Sequence, residues 1–431
     1  MYLNSDWLAL KMNDPNLAVL FRVISIIFLI LPFTSVLRGY FQGEGDMLPT
    51  AVSQVAEQLI RVLTILGVSA LFMREGYSLY MVGGGATFGS ITGGIVAGIL
   101  LFYFFRKRKK DNHFSIKKLI LAIRFTEAIE IIKTLSIQGF AICISGMLLI
   151  FIQLADSINL YTLLVSSGVD EFAAKQLKGI YDRGQPLIQL GTILATSMSL
   201  SLVPLISSSK VKKNREQLIA KIETALKISI MVGLGGAIGL ICIIEPTNIM
   251  LFEDNSGSNV LAIIALLIFF SSVIITISSI LQGLGISIVP AVLIFLGFVI
   301  KCLLNIPMVL KWGTVGAALS SVVAFVFILV LLSIKLKMTI RTTVIHKDFI
   351  QTIFLAGLIM GSSLLAYIRI TDFLFSEGRI FSALQALSAC VIGGSLYLII
   401  VFRSGVFKEE ELSVLPFGDK LRALLPNKSR R

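Results

Sequence analysis

Two stretches of this chain, 240 positions apart, nearly repeat each other. The first reads Phe41-Gln42-Gly43-Glu44-Gly45 and is followed by Pro49. The second reads Leu281-Gln282-Gly283-Leu284-Gly285 and is followed by Pro290. Each closes one long apolar run and opens another. This pattern predicts a membrane protein assembled from two copies of one helical unit, an architecture frequent among transporters. The copies are unequal. About 150 residues of helical pattern, counted from near Ile131, precede the second Gln-Gly pair, but only about 41 precede the first. Equal copies would set roughly 110 more residues, about three membrane helices, ahead of Met1.

Apolar runs of membrane-crossing length recur throughout, and composition agrees: 56% of residues are hydrophobic and 15% charged. A soluble domain would carry about 25% charged residues. The expected fold is an all-α polytopic membrane protein, a two-lobe helical bundle with an internal repeat. Eleven spans are expected, near 18–40, 50–73, 78–105, 134–158, 178–206, 225–249, 259–282, 288–310, 314–334, 348–369 and 382–402. Five segments follow. Residues 1–105 form the remainder of an N-terminal lobe with about three spans. Residues 106–133 form a basic, amphipathic cytoplasmic linker. Residues 134–335 form a C-terminal lobe of about six spans, 336–402 the last two, and 403–431 a cytoplasmic tail.

The net charge of +13 sits in loops beside the spans. Arg106-Lys107-Arg108-Lys109-Lys110 follows the third span; Lys210, Lys212, Lys213 and Arg215 follow the fifth. Lys335, Lys337, Arg341 and Lys347 follow the ninth, and Arg403 the eleventh. Acidic Glu253-Asp254 follows the sixth. Basic loops are retained in the cytoplasm and attract anionic lipid, so the C-terminus is expected inside a multi-pass plasma-membrane protein. There is no basic soluble domain of the kind that binds nucleic acid, and a monomer is expected. Between Lys107 and Lys133, apolar Ile116, Leu119, Ile120, Ile123 and Ile131 alternate with charge, predicting a helix along the interface. Cys143, Cys242, Cys302 and Cys390 lie in apolar spans without metal spacing, and no nucleotide-hydrolysing or nucleophile motif is present. No cofactor and no enzymatic activity are expected.

Charge inside a span costs about 2.5–3.5 kcal/mol at the helix centre, so it persists chiefly where water or a partner meets it. Gln54, Glu57, Gln58 and Arg61 share one face of the second span, opposite Val55, Leu59, Val62 and Leu63. The stripe reads as a cavity wall, or as Glu57 paired with Arg61 one turn on. The 240-residue offset carries Arg61 onto Lys301, which has Asn305 beside it. Matched cations would face a shared central cavity; the alternative is local pairing of Lys301. At the mouth of the fifth span stand Asp182-Arg183-Gly184-Gln185-Pro186, then Gln189. The planar fork of Arg183 suits phosphate or carboxylate, and Asp182 could hold it. Asp156 reads equally as an interfacial or a cavity residue. Glycines clustered from Gly83 to Gly98 and from Gly233 to Gly239 predict close helix packing.

Ser35-Val36-Leu37-Arg38-Gly39-Tyr40-Phe41-Gln42-Gly43, the run from Met47 to Gln54 with Glu57-Gln58, and Lys178 to Pro186 with Val203-Pro204 resemble the MurJ-type lipid II flippases and stage V sporulation protein B. The wider group is the multidrug/oligosaccharidyl-lipid/polysaccharide exporter superfamily, which includes the MATE transporters. The resemblance implies fourteen helices in a V-shaped, two-lobe transporter. It implies outward movement of an undecaprenyl-diphosphate-linked cell-wall precursor by alternating access. The functional Asp-Arg pair of that family's eighth helix falls on Asp182 and Arg183. Other family arginines belong to helices that would precede Met1. The expected substrate site is therefore Arg183, Asp182, Arg61, Glu57, Lys301, Arg38, Gln54 and Asn305. Inside-negative potential would favour outward movement of an anion by about 2.3 kcal/mol per charge per 100 mV. The alternatives are a MATE-type drug or cation antiporter, where acidic residues would dominate the cavity, and a truncated, non-transporting membrane protein.

Overall fold

The computed structural model describes residues 2–11, 18–111, 125–211, 215–342, 345–374 and 378–407. Among them all regular structure is helical. The chain divides into two compact units, Met1–Ala128 and Ile129–Arg431.

The first unit holds α1 (Ser5–Lys11), α2 (Ala18–Gly43), α3 (Leu48–Arg74) and α4 (Leu79–Asp111). Helices α3 and α4 pack closely because α4 offers glycine every fourth residue. A Cβ on Gly89 would stand 2.8 Å from the Arg61 carbonyl oxygen, and one on Gly93 would stand 2.6 Å from that of Glu57. Only a bare backbone fits there. The other face of α3, with Leu59, Val62, Leu63 and Leu66, is exposed, as a lipid-facing surface should be. Helix α4 runs on through the cluster Arg106–Lys110, so those residues close a helix rather than open a linker. Arg108 pairs with Glu44 at 2.8 Å and Asp46 at 3.3 Å, which tethers this basic end to the α2–α3 turn. Residues 112–124 of the predicted interfacial helix lie outside the described residues, as does the tail beyond Phe407.

Helix α5 (Phe125–Gly146) leads into the second unit, which continues with α6 (Leu148–Ser166), α7 (Glu171–Asp182), α8 (Gly184–Val211), α9 (Arg215–Cys242) and α10 (Ile244–Phe252). It ends with α11 (Ser258–Gly283), α12 (Ile288–Ile340), α13 (Lys347–Leu374) and α14 (Arg379–Arg403). Three pairs are single runs bent at one residue: α5–α6 at Met147, α7–α8 at Arg183 and α9–α10 at Ile243. At the first bend the Met147 N–H still bonds the Cys143 carbonyl at 3.1 Å. Helix α12 is broken at Gly313, whose φ of +57° and ψ of −135° fold 288–312 back on 314–340. Ten of the described helices are long and apolar enough to cross a membrane. That number separates α5 from α6 and takes both arms of α12 as one.

Helix α11 is the spine of the second unit. Leu261, Ile264, Leu267, Ile268, Ile274, Ile277 and Leu281 are buried, packed against α8, α9 and α12. A second core joins α9, α13 and α14, where the Tyr397 hydroxyl donates to the Met231 carbonyl at 2.9 Å.

The repeat is visible as structure. Helices α2 and α11 are both 26 residues long, and their ends lie 240 positions apart; α3 and α12 begin at the same offset. After α2, the Gly45 N–H bonds the Gln42 carbonyl at 3.0 Å and the Asp46 N–H bonds that of Phe41 at 3.0 Å. After α11, Gly285 bonds Gln282 and Ile286 bonds Leu281, both at 2.8 Å. Gly45 and Gly285 take φ of +80° and +81°. Both turns are therefore the same left-handed helix stop, which glycine adopts without strain.

Candidate functional site

In the first unit the polar stripe of α3 meets one arginine from α2. Arg38 Nη2 donates to Glu57 Oε2 at 2.8 Å, and Arg61 Nη2 donates to Glu57 Oε1 at 2.5 Å. Arg38 Nε also reaches Ser53 Oγ at 3.3 Å. Two guanidinium groups thus share one carboxylate, leaving a formal charge of about +1. The side chains of Arg38, Glu57 and Arg61 are 20%, 15% and 28% exposed, so the group is shielded but not sealed. Arg61 Nε is buried and has no acceptor; an unmet buried donor costs about 1–3 kcal/mol. Beside it lies a chamber of about 40 Å³, lined by Ile27, Ile30, Leu31, Thr34, Ser90 and Gly94 as well as Glu57 and Arg61. Gln58 accepts from Arg61 only at 3.4 Å, and Gln54 is exposed.

In the second unit Lys301 is fully buried. Its Nζ lies 2.7 Å from Asp156 Oδ1, 2.8 Å from the Ala317 carbonyl oxygen, 2.6 Å from Ser321 Oγ and 3.3 Å from Ser320 Oγ. Asn305 Nδ2 donates to Asp156 Oδ1 at 3.1 Å and to Asn159 Oδ1 at 2.8 Å, and its own oxygen accepts from Ser320. The Tyr181 hydroxyl donates to Asp156 Oδ2 at 2.9 Å. The cluster joins α6, the end of α7 and both arms of α12, with every charge met. Lys301 therefore does not open onto a cavity within this unit, contrary to the shared-chamber expectation. The hairpin at Gly313 brings the Ala317–Ser321 acceptors to it, and Asp156 supplies the counter-charge.

Arg183 stands at the bend between α7 and α8. Asp254, 71 residues on, takes its fork at 2.7 and 2.9 Å, and the guanidinium carbon sits 4.8 Å over the Phe252 ring. Asp182, expected to hold that fork, instead lies 3.9 Å from Lys178 one turn back. Adjacent helical residues point about 100° apart, so Asp182 cannot serve its neighbour's guanidinium. The hydrogen bonds from Arg183, with one from the Ser256 N–H, hold the Asp254 carboxyl well below the usual carboxylate range. Tyr181 and Arg183 thus link one helix bend to the buried cluster on one side and to the α10–α11 loop on the other.

The eight predicted residues fall into three groups. Arg38, Glu57 and Arg61 meet in the first unit, with Gln54 on the same helix but unengaged. Lys301 and Asn305 meet in the second, and Arg183 and Asp182 part company. Asp156, Asp254, Tyr181, Ser320 and Ser321 complete these groups. Asp156 was visible in the sequence as a carboxylate within an apolar run, where interfacial and cavity placement read equally.

The family described as "Polysaccharide biosynthesis protein" matches residues 1–210. An uncharacterized membrane protein of Bacillus subtilis (strain 168), YabM, is 40% identical over 98% of this chain and 78% of its own length. The chain belongs to the polysaccharide biosynthesis protein family. From the same organism, Lipid II flippase MurJ is 24% identical over 90% of this chain and 73% of its own. Stage V sporulation protein B is 26% identical, covering 91% and 74%. A solved Lipid II flippase MurJ in an inward closed conformation superposes with a TM-score of 0.54 at 17% identity, covering 90% of this chain and 71% of that one. A MATE crystal structure in the bent conformation gives 0.58 at 17%, covering 79% and 75%. The fold is that of MurJ and the MATE structures, and the chain is a multi-pass membrane protein.

Proposed function

We propose that this protein moves an undecaprenyl-diphosphate-linked cell-wall precursor, lipid II or a related oligosaccharide lipid, outward across the plasma membrane by alternating access. The observation that carries this reading is the excess of cation over anion at Arg38, Glu57 and Arg61. A positive group held partly open within a span suits a diphosphate, whose oxygens match guanidinium forks. Arg183 is a candidate anion contact within the second unit, released when Asp254 gives it up. Lys301 and Asn305 brace the helices of the second unit, where Asp182 adjoins Arg183, and Gln54 shares a helix with Glu57 and Arg61 in the first. Similarity to the flippase MurJ supports the lipid-linked substrate, and basic loop ends support a cytoplasmic C-terminus. The lipid tail stays in the bilayer while the saccharide crosses, and the membrane potential favours the outward step.

Purified protein in liposomes containing fluorescent lipid II should expose the label to an external reagent at a rate that Arg61→Ala and Arg183→Ala each reduce by about tenfold or more. Undiminished transport in both variants would overturn the assignment. Ethidium efflux driven by a sodium or proton gradient, without lipid II movement, would favour a cation antiporter instead.

A further inference from the structure

We propose that Glu57 is a built-in stand-in for the substrate's phosphate: it fills the space between Arg38 and Arg61 when the carrier is empty, and an incoming diphosphate displaces it. The proposal rests on the flippase reading. The two carboxylate oxygens each take one guanidinium, Oε2 from Arg38 at 2.8 Å and Oε1 from Arg61 at 2.5 Å. Two non-bridging oxygens of one phosphate would be received in the same way. Glu57 supplies one negative charge against two positive, so the group stays attractive to an anion after Glu57 is in place. Arg61 Nε, buried without an acceptor, is a donor that Glu57 does not use. The second phosphate of a diphosphate brings further non-bridging oxygens, one of which is free to meet it.

The backbone around Glu57 cannot give way. The bare α-carbon of Gly93 presses on the Glu57 carbonyl, where a Cβ would be 2.6 Å away. Displacement therefore falls to the glutamate side chain turning about its own bonds, with α3 and α4 fixed. The expelled carboxylate stays on the same helix face and repels the bound anion, which favours release. An empty carrier that reorients with Glu57 in place carries one excess charge rather than two through a low-dielectric span, where each is expensive.

The test is pyrophosphate and undecaprenyl-diphosphate binding to the full protein in nanodiscs, with thermal transitions recorded alongside. Glu57→Gln removes the competing charge but keeps the shape. It should tighten binding of both probes by about tenfold and slow lipid transport by a similar factor, because release becomes limiting. Glu57→Asp keeps the charge but cannot span both arginines, and should tighten binding to a lesser degree. Binding by either variant that is equal to or weaker than wild type, with an unchanged thermal transition, overturns the stand-in. If Arg61→Ala still abolishes binding in that case, the flippase reading survives alone. If Glu57→Gln does not fold, the Glu57→Asp result decides. Failure of wild type and both variants to bind either probe overturns the stand-in and the diphosphate site together. Binding of pyrophosphate without undecaprenyl diphosphate supports the stand-in but places the substrate outside the lipid-linked class.

Discussion

Arg61 and Lys301 occupy the same register in two copies of one helical unit, yet the chain treats them in opposite ways. Arg61 shares a carboxylate from its own helix with a second arginine and keeps one donor unmet. Lys301 is sealed among oxygens from α6 and from the second arm of α12, none of them on its own turn. What differs is the supply of counter-charge. The second unit places Asp156 on α6 against α12, so one lysine meets one aspartate with hydroxyls and an amide filling the remaining sites. In the first unit the described residues offer Glu57 alone to two guanidiniums. Matching sequence positions predict matching places in the fold; they do not predict matching electrostatics.

This contrast can be broken most forcefully at Lys301. Lys301→Ala should cost about 3–5 kcal/mol of stability, because Asp156 is left buried and unpaired. The double variant Lys301→Met with Asp156→Leu should recover much of that loss in the thermal transition. Simple addition of the two single effects would mean that the pair is not coupled. Arg61→Ala, by comparison, should leave the thermal transition within about 1 kcal/mol of wild type, since its partner keeps Arg38. A drop as large as that of Lys301→Ala would erase the distinction between the two copies.

A smaller effect tests the repeat itself. Gly45→Ala and Gly285→Ala should each cost about 1–2 kcal/mol, and by similar amounts, because both require the left-handed conformation. Unequal costs would show that the two turns carry different loads. The smallest effect concerns pH at the Arg183–Asp254 pair. The Asp254 carboxyl is depressed in the folded protein, so its contribution is complete above the unfolded value of about 3.9 and is lost only as pH falls through the lower folded value. The difference in thermal transition between wild type and Asp254→Asn should therefore stay flat from about pH 5 to about pH 9. A slope in that window would show that Asp254 is not held by Arg183.

The apolar runs made the helices legible, since twenty oily residues in a row leave little alternative in a bilayer. The bends were not. Met147 is an ordinary helix former, and nothing in its side chain announces a break; Gly313, the Gly184–Pro186 segment and Pro246, three residues after Ile243, carried local signals. The candidate site was half legible. Glu57 and Arg61 are neighbours one turn apart, so spacing alone joined them, whereas Arg38 entered through family resemblance. Asp254 and Asp156 lie 71 and 145 positions from their partners, and such pairs exist only after the helices are packed. Periodicity along one helix cannot express them.

At Gly89 and Gly93 the backbone of α4 meets the backbone of α3 with no side chain between them. Two helices in backbone contact cannot slide without a clash, so they behave mechanically as one thick strut. Any tilt of the strut that changes access to Arg61 must swing the far end of α4, where Arg106 and Arg108 stand. A spin label at that end would feel the motion of a half-buried charge several turns away.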